Sequence, residues 1–288
     1  MTTKIMKMFD LQGRIAAITG GGGELCGAMA EALGSIGVKV ALLDIDGQKA
    51  GQRETVIKAG DGTARAFVCD VLDKAQLEKT YLEICELWGA PDFLINGAGG
   101  NDPRGTTTLE FQEAGEIIAK EKEPNCKTFF DLDLEGFRYV FDLNFLGTFL
   151  PTQIFARGMI PKKNGSVINV SSLSALTPLT KVGAYSAAKA AVANFTRWLA
   201  VHFALTGIRV NALAPGFFMT EQLRFLHVDP DTGELLPRAQ KTIAHTPMGR
   251  YGLPEELIGT VVWLLSEASR FVTGAIIPID GGFSSYSV

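Results

Sequence analysis

Cysteine and histidine are scarce in this chain. The four cysteines among 288 residues, Cys26, Cys69, Cys85 and Cys126, form no C-x-x-C pair. Buried reduced thiols are therefore expected, with neither a disulfide framework nor a thiolate metal site. The three histidines, His202, His227 and His245, include no H-E-x-x-H motif, and no metal site is expected. No run approaches the roughly 18 apolar residues of a membrane span. No basic run stands out either. With 27 basic and 31 acidic residues the net charge is −4, which argues against nucleic acid and anionic membranes as partners. The opening MTTKIMKMFDLQGR is too short and too polar for a secretion signal, so a cytoplasmic location is expected. Repeats, linkers and low-complexity stretches are also missing, and the expectation is one domain over 1–288.

What is present is an alternation. Residues 14–19 (RIAAIT) form a short apolar run, read as a buried strand, and meet the glycines at 20–23. A helix follows to about Gly37. Strands are read at 38–44, 63–70 and 91–97, with helices at 47–59 and 73–89 between them. Strands alternating with helices over short connections imply a parallel sheet with helices on both faces. The beat breaks from about 100 to 133, a polar insertion with a helical piece near 109–122. It resumes with a long helix at 134–158 containing Pro151, a strand at 165–172, a helix at 184–206 and a strand at 207–215. Residues 217–250 are expected to be irregular, with a hairpin-like turn at 229–233. A helix at 254–266 and a strand at 274–280 close the chain. The fold class is α/β, a Rossmann-like doubly wound parallel sheet of about seven strands.

Several residues stand where such a sheet carries chemistry. The run Thr19-Gly20-Gly21-Gly22-Gly23 joins the first strand to the first helix. Glycines let the backbone approach a pyrophosphate, and a helix N-terminus offers N–H groups and a positive dipole end. Asp44 ends the second strand 24 residues after Gly20. A carboxylate there accepts from a ribose diol and repels a 2′-phosphate, which favours NAD(H) over NADP(H). Asp70 is placed either against an adenine or as the N-cap of the 73–89 helix, or both. Small residues in Asn96-Gly97-Ala98-Gly99 would let a cofactor lie on the strand ends. Asn144 sits among Phe141, Leu143, Phe145 and Leu146 and needs hydrogen-bond partners. Tyr185 comes 13 residues after Ser172, and Lys189 four residues after Tyr185. Positions i and i+4 share one helix face.

In this order, together with Pro215-Gly216, these motifs resemble the short-chain dehydrogenase/reductase family over nearly the whole chain. The resemblance implies a homo-oligomeric NAD(P)-dependent oxidoreductase, expected as a tetramer or a dimer. Ser172 would polarise the substrate oxygen, Tyr185 would be the acid in reduction and the base in oxidation, and Lys189 would bind the nicotinamide ribose and lower the tyrosine pKa. Asn144 would hold a water linking Lys189 to solvent. The cofactor would lie against Gly20, Gly22, Gly23, Glu24, Leu25, Asp44, Asp70, Val71, Asn96, Gly97, Ala98, Tyr185, Lys189, Pro215, Gly216 and Phe218. Two departures stand out. Glu24 and Cys26 occupy the last two glycine positions of the family's T-G-x-x-x-G-x-G loop, and N-N-A-G is here N-G-A-G.

The stretches G-A-G-G-N-D-P-R (97–104), F-D-L-N-F-L-G-T-F-L-P-T-Q (141–153), T-P-L-T-K-V-G-A-Y (177–185), P-G-F-F-M-T-E-Q (215–222) and A-H-T-P-M-G-R-Y-G (244–252) resemble the family's sugar-acid branch, which interconverts D-fructuronate and D-mannonate. A uronate needs a cation for its carboxylate and donors for its hydroxyls. Asn101, Arg104, Ser174, Lys181, Arg224 and His245 are the candidates, with Ser174 and Lys181 favoured because the Ser172–Tyr185 connection should floor the site. A gluconate or other polyol dehydrogenase, or a 3-oxoacyl reductase, would share every core motif. A non-catalytic dinucleotide sensor would have no need of the proton-relay residues.

Overall fold

The computed structural model describes residues 2–112, 126–220, 223–224, 227–229 and 232–287. Seven strands form one sheet: β1 (Ile15–Thr19), β2 (Lys39–Asp44), β3 (Thr63–Val68), β4 (Phe93–Asn96), β5 (Gly165–Val170), β6 (Ile208–Pro215) and β7 (Ile276–Ile279). Their order is β3-β2-β1-β4-β5-β6-β7, and every neighbouring pair is parallel. This is the Rossmann-like α/β architecture expected from the alternation.

Parallel strands covered on both faces read as continuous apolar runs. β1 and β5 are buried at every residue. Side chains alternate across a strand, and here they separate two cores. Ala16, Ile18, Val40 and Leu42 face α2 (Glu24–Ser35), α3 (Gly47–Ala59) and, later in the chain, the helix Ile258–Leu265. Ile15, Ala17, Ala41 and Leu43 face α4 (Lys74–Trp88), α5 (Leu134–Met159) and α6 (Gly183–His202). A short N-terminal helix, α1 (Thr2–Met8), precedes the sheet. The strand order reverses between β1 and β4, and ligands in open α/β sheets bind at the carboxyl ends of the strands at such a switch.

Several boundaries differ from expectation. β3 stops at Val68 because its one neighbour, β2, ends at the paired Asp44, so Asp70 lies beyond the ladder. β5 stops at Val170, leaving Ser172 just past the strand end. The 184–206 helix ends at His202, and a 3₁₀ turn, Ala204–Thr206, leads to Gly207 at φ +79°. The 217–250 stretch is not wholly irregular. It holds α7 (Pro237–His245), with proline at its start. Around the expected 229–233 turn, Asp229 N–H donates to Glu234 O at 2.8 Å and Val228 pairs antiparallel with Leu235, while residues 230 and 231 lie outside the described residues. Residues 109–112 are not helical, and the rest of the 109–122 expectation lies outside the described residues. α5 runs through Pro151, which is buried. The last helix is α8 (Ile258–Leu265), preceded by a 3₁₀ turn.

Candidate active site

The glycine loop is shaped by close approach. Gly20 has φ +66°, a conformation that favours glycine. A Cβ on it would lie 2.9 Å from Ala98 N. A Cβ on Gly22 would lie 2.8 Å from Lys49 Cβ and 2.9 Å from Ala50 N. Gly23 is the N-cap of α2, and no side chain caps that helix end. A dipole end with no side chain across it, behind a loop stripped of Cβ atoms, suits a pyrophosphate. Thr19 Oγ1 closes the switch point by accepting from Gly97 N–H at 3.0 Å and Ala98 N–H at 3.2 Å. That role of Thr19 was not read from the sequence.

Asp44 holds the loop from the other side. Its Oδ2 accepts from Gly22 N–H at 2.9 Å and its Oδ1 from Asp46 N–H at 2.9 Å. The carboxylate is thus fixed at the end of β2, with lone pairs to spare for a diol. Asp70 does not cap α4. Asp73 does, accepting from Ala75 and Gln76 N–H, while Asp70 Oδ1 accepts from Leu72 N–H. Val71 is buried against Gly147. Gly216 is packed so closely on Asp280 that a Cβ would lie 2.6 Å from its Cα. The Phe218 ring belongs to the core and lies over Gly252.

Asn96 ends β4 beside the switch point. Its side chain points into the interior, where Nδ2 donates to Thr152 Oγ1 and Asn169 Oδ1, each at 2.8 Å. It is one rung of a buried ladder. Asn169 Nδ2 donates to Thr196 Oγ1 at 2.9 Å, Thr152 Oγ1 to Thr148 O, and Thr148 Oγ1 to Asn144 O. The ladder ties α5 to α6 across β4 and β5, and so ties the helix carrying Asn144 to the helix carrying Lys189. Asn144 is fully buried. Its Nδ2 donates to Gly100 O and Val140 O, both at 2.7 Å, and its Oδ1 accepts from Gly100 N–H at 3.3 Å.

Ser172, Tyr185 and Lys189 converge beside it. Ser172 stands near enough to the Tyr185 hydroxyl to favour its phenolate form, and Lys189 Nζ lies 5.6 Å from the Tyr185 ring centroid. Nζ donates to Val170 O at 2.7 Å, and Ser171 Oγ donates to the Lys189 carbonyl at 3.0 Å. Gly99 leaves room between the groups. A Cβ there would lie 2.6 Å from Asn144 Oδ1 and 3.2 Å from Lys189 Nζ. Burial lowers the Lys189 pKa to about 8 and raises that of Tyr185, against the opposing Ser172 hydrogen bond. The tyrosine is thus raised where a lowering by its lysine was expected: burial is the largest cause, and Ser172, not Lys189, opposes it. A phenol between a hydroxyl and an ammonium can pass a proton to or from a bound oxygen. Among the described residues no cluster of His, Cys, Asp and Glu could hold a metal ion.

Residues 25–284 match the family model described as Enoyl-(Acyl carrier protein) reductase. An uncharacterized oxidoreductase of Bacillus subtilis (strain 168), UxuB, is 49% identical over 280 residues, 96% of this chain and 97% of its own. An uncharacterized oxidoreductase of Haemophilus influenzae is 44% identical over 287 residues, 99% of this chain and 98% of its own. A crystal structure from Haemophilus influenza, provisionally named a D-mannonate oxidoreductase and holding NAD, is 44% identical with a TM-score of 0.91. It covers 96% of this chain, and the match spans 97% of that one. The chain belongs to the short-chain dehydrogenase/reductase family. It is an NAD(P)-dependent oxidoreductase acting on alcohols and ketones.

The two departures from the short-chain dehydrogenase/reductase pattern meet in space. Cys26 is buried on the first turn of α2, and burial pushes its thiol up to about 12. A Cβ on Gly97 would collide with Cys26 Sγ. The sulfur fills the volume that a side chain at 97 would need, so a larger residue in the glycine loop accompanies a smaller one just past β4.

The substrate candidates are distributed unevenly. Arg104 is exposed and forked onto Asp102, with Nε–Oδ1 at 3.1 Å and Nη2–Oδ2 at 3.0 Å. That pairing neutralises the cation proposed for a carboxylate. His245 is exposed at the end of α7, edge-on to Phe283 at 4.5 Å and Tyr286 at 5.2 Å. Arg224 is exposed on the 217–250 loop. Asn101, Ser174 and Lys181 lie on two segments joined by Thr107 N–H to Lys181 O at 3.0 Å. Lys181 has φ +73°, an uncommon backbone for a side-chain-bearing residue.

Proposed function

We propose that the enzyme interconverts D-fructuronate and D-mannonate, with NAD(H) as the preferred cofactor. The observation that carries this reading is likeness over 96% of the chain to a structure bearing that provisional name and holding NAD. Asp44 supports NAD over NADP, because a fixed carboxylate at the end of β2 favours a free ribose diol over a phosphate. The nicotinamide supplies or accepts the hydride. This chain's own residues position the ketone and handle its proton. Ser172 donates to the carbonyl oxygen, Tyr185 Oη delivers the proton in reduction and removes it in oxidation, and Lys189 holds the ribose. Asn144, clasping Gly100, keeps the strand-end segment in place. A panel of hexuronates and aldonates with NADH and NADPH tests the assignment. Fructuronate reduction with NADH is expected. Turnover of 5-ketogluconate alone would overturn the substrate, and activity confined to NADPH would overturn the cofactor preference.

The same reading includes assembly into a homotetramer or homodimer in the cytoplasm. α5 and α6 lie side by side, with the Phe145 and Phe149 rings 5.5 and 6.0 Å from Phe195. Phe195 stacks on Trp198, and Trp198 on His202 at 4.7 Å. Trp198, Val201, Tyr139 and Leu146 are exposed along this surface. A large aromatic surface suits burial against a second copy. Light scattering at micromolar concentration is expected to give a dimer or tetramer, and a monomer would refute the assembly. No described helix is long and apolar enough to cross a membrane.

A further inference from the structure

Two segments that leave different strands meet through an ion pair. Glu110 Oε2 lies 3.4 Å from Lys241 Nζ, 131 residues further along the chain. Glu110 belongs to the insertion that follows β4, and Lys241 to α7, on the loop that follows β6. β5 lies between those two strands, and Ser172 stands just past its end. A segment that starts at β4 and reaches a helix beyond β6 therefore spans the end of β5, where Ser172, Tyr185 and Lys189 converge.

Both sides of this span are anchored. Gly100, at the root of the insertion, is clasped by Asn144, and a Cβ on Gly99 would lie 3.2 Å from Lys189 Nζ. Further along, Thr107 N–H donates to Lys181 O at 3.0 Å, four residues before Tyr185. Thr108 N–H donates to Lys127 O at 2.9 Å and Thr108 Oγ1 accepts from Lys127 N–H at 2.8 Å, which pins the insertion to its returning arm two residues before Glu110. On the other side, α7 is held at its far end by the segment after β7. Met248 N–H donates to Gly281 O at 3.1 Å, and the His245 ring packs on Phe283 and Tyr286. Between these anchors the ion pair ties one segment to the other.

We infer that Glu110 and Lys241 are positioning residues: their ion pair closes a bridge over the catalytic group and holds the substrate loop against the insertion while a ketone is bound. The pair acts through the two segments and not by contact with the reacting atoms. With the bridge closed, a bound ketone leaves more slowly. Opening it weakens the hold on the ketone. The glycine loop and Asp44 lie on the other side of β4, so the grip proposed for the dinucleotide does not pass through the bridge. Lys241 is 72% exposed and Glu110 30%, so the effect is modest and screened by salt. It does not depend on which ketone is bound.

Steady-state kinetics with NADH and a reducible ketone, D-fructuronate first, test the bridge. Glu110→Gln and Lys241→Gln are each expected to raise the ketone KM about two- to fivefold without lowering kcat. NADH affinity, read by fluorescence titration, should be unchanged. Glu110→Lys and Lys241→Glu each set like charges against one another and should raise KM at least as far. Glu110→Lys combined with Lys241→Glu should bring KM back toward that of the parent, which a merely structural role would not do. Added salt should raise the parent's KM more than that of Glu110→Gln. An exposed pair adds little to stability, so all these variants are expected to fold as the parent does. Unchanged KM in both glutamine variants, or a combined variant no better than either charge reversal alone, would overturn the bridge. A rise for Lys241→Gln with none for Glu110→Gln would mean that the lysine attracts an anionic substrate directly, and would overturn it as well. If fructuronate is not reduced, the proposed substrate fails, and the same comparison on the ketone that the enzyme does reduce decides the bridge.

Discussion

Tyr185→Phe is expected to lower kcat about 10²–10⁴-fold while NADH binds as in the parent enzyme. The substitution removes one oxygen, the group that the proposed mechanism gives the proton exchange with the ketone. The ring remains to pack, so the change is one of chemistry and not of shape. Ser172 stands beside its hydroxyl and favours the phenolate, against burial. Burial raises its pKa, and this favours the protonated phenol, the form needed to reduce a ketone near neutral pH. Oxidation of the alcohol, which needs the phenolate, should therefore gain rate as pH rises. Equal kcat values for the variant and the parent would remove Tyr185 from the proton path.

The second large effect is expected at Lys189. Lys189→Met should lower kcat by about 10²-fold or more and also weaken NADH binding, since the proposed mechanism gives one ammonium both tyrosine and ribose to serve. A second readout separates charge from packing. The lysine is 4% exposed, and burial takes its pKa from 10.5 to about 8. Between about 8 and 10.5 the unfolded chain keeps the proton that the folded chain has released, so stability rises with pH across that window. Below it, the folded protein bears the full cost of a buried ammonium. The displacement corresponds to about 3 kcal/mol. Denaturant melts of the cofactor-free proteins should show the parent gaining stability relative to Lys189→Met from pH 8 to about 10.5. A difference that stays flat with pH would mean that the ammonium is not buried as described.

The central strands were legible because IAAI, VALL and FLI are apolar without a break, as parallel strands covered on both faces read. The turn after β1 was legible because only glycines fit it. α7 was hidden because PRAQKTIAH buries only Ala239 and Thr242, too little to show a helical period. The choice between Asp70 and Asp73 as the cap of α4 could not be made from spacing, since both acids precede the same helix and the backbone path decides. The inward turn of the Asn96 side chain was not legible, because a strand-end asparagine looks the same whether it faces a ligand or a neighbouring strand. Its partners Thr152 and Asn169 are 56 and 73 residues away. The pairing of Arg104 with Asp102 was within reach of sequence reasoning, because the acid stands two residues upstream. The raised tyrosine pKa was not, because burial is a property of the assembled site.

The contact between Cys26 and Gly97 constrains how this sequence could exchange with its relatives. Restoring an asparagine at 97 while the thiol is in place would drive two side chains into one volume. Restoring glycine at 26 first would leave a small void beside β4, a tolerable fault in a packed interior. Exchange at 26 before 97 avoids the clash. A homologue caught midway should carry the void and not the clash.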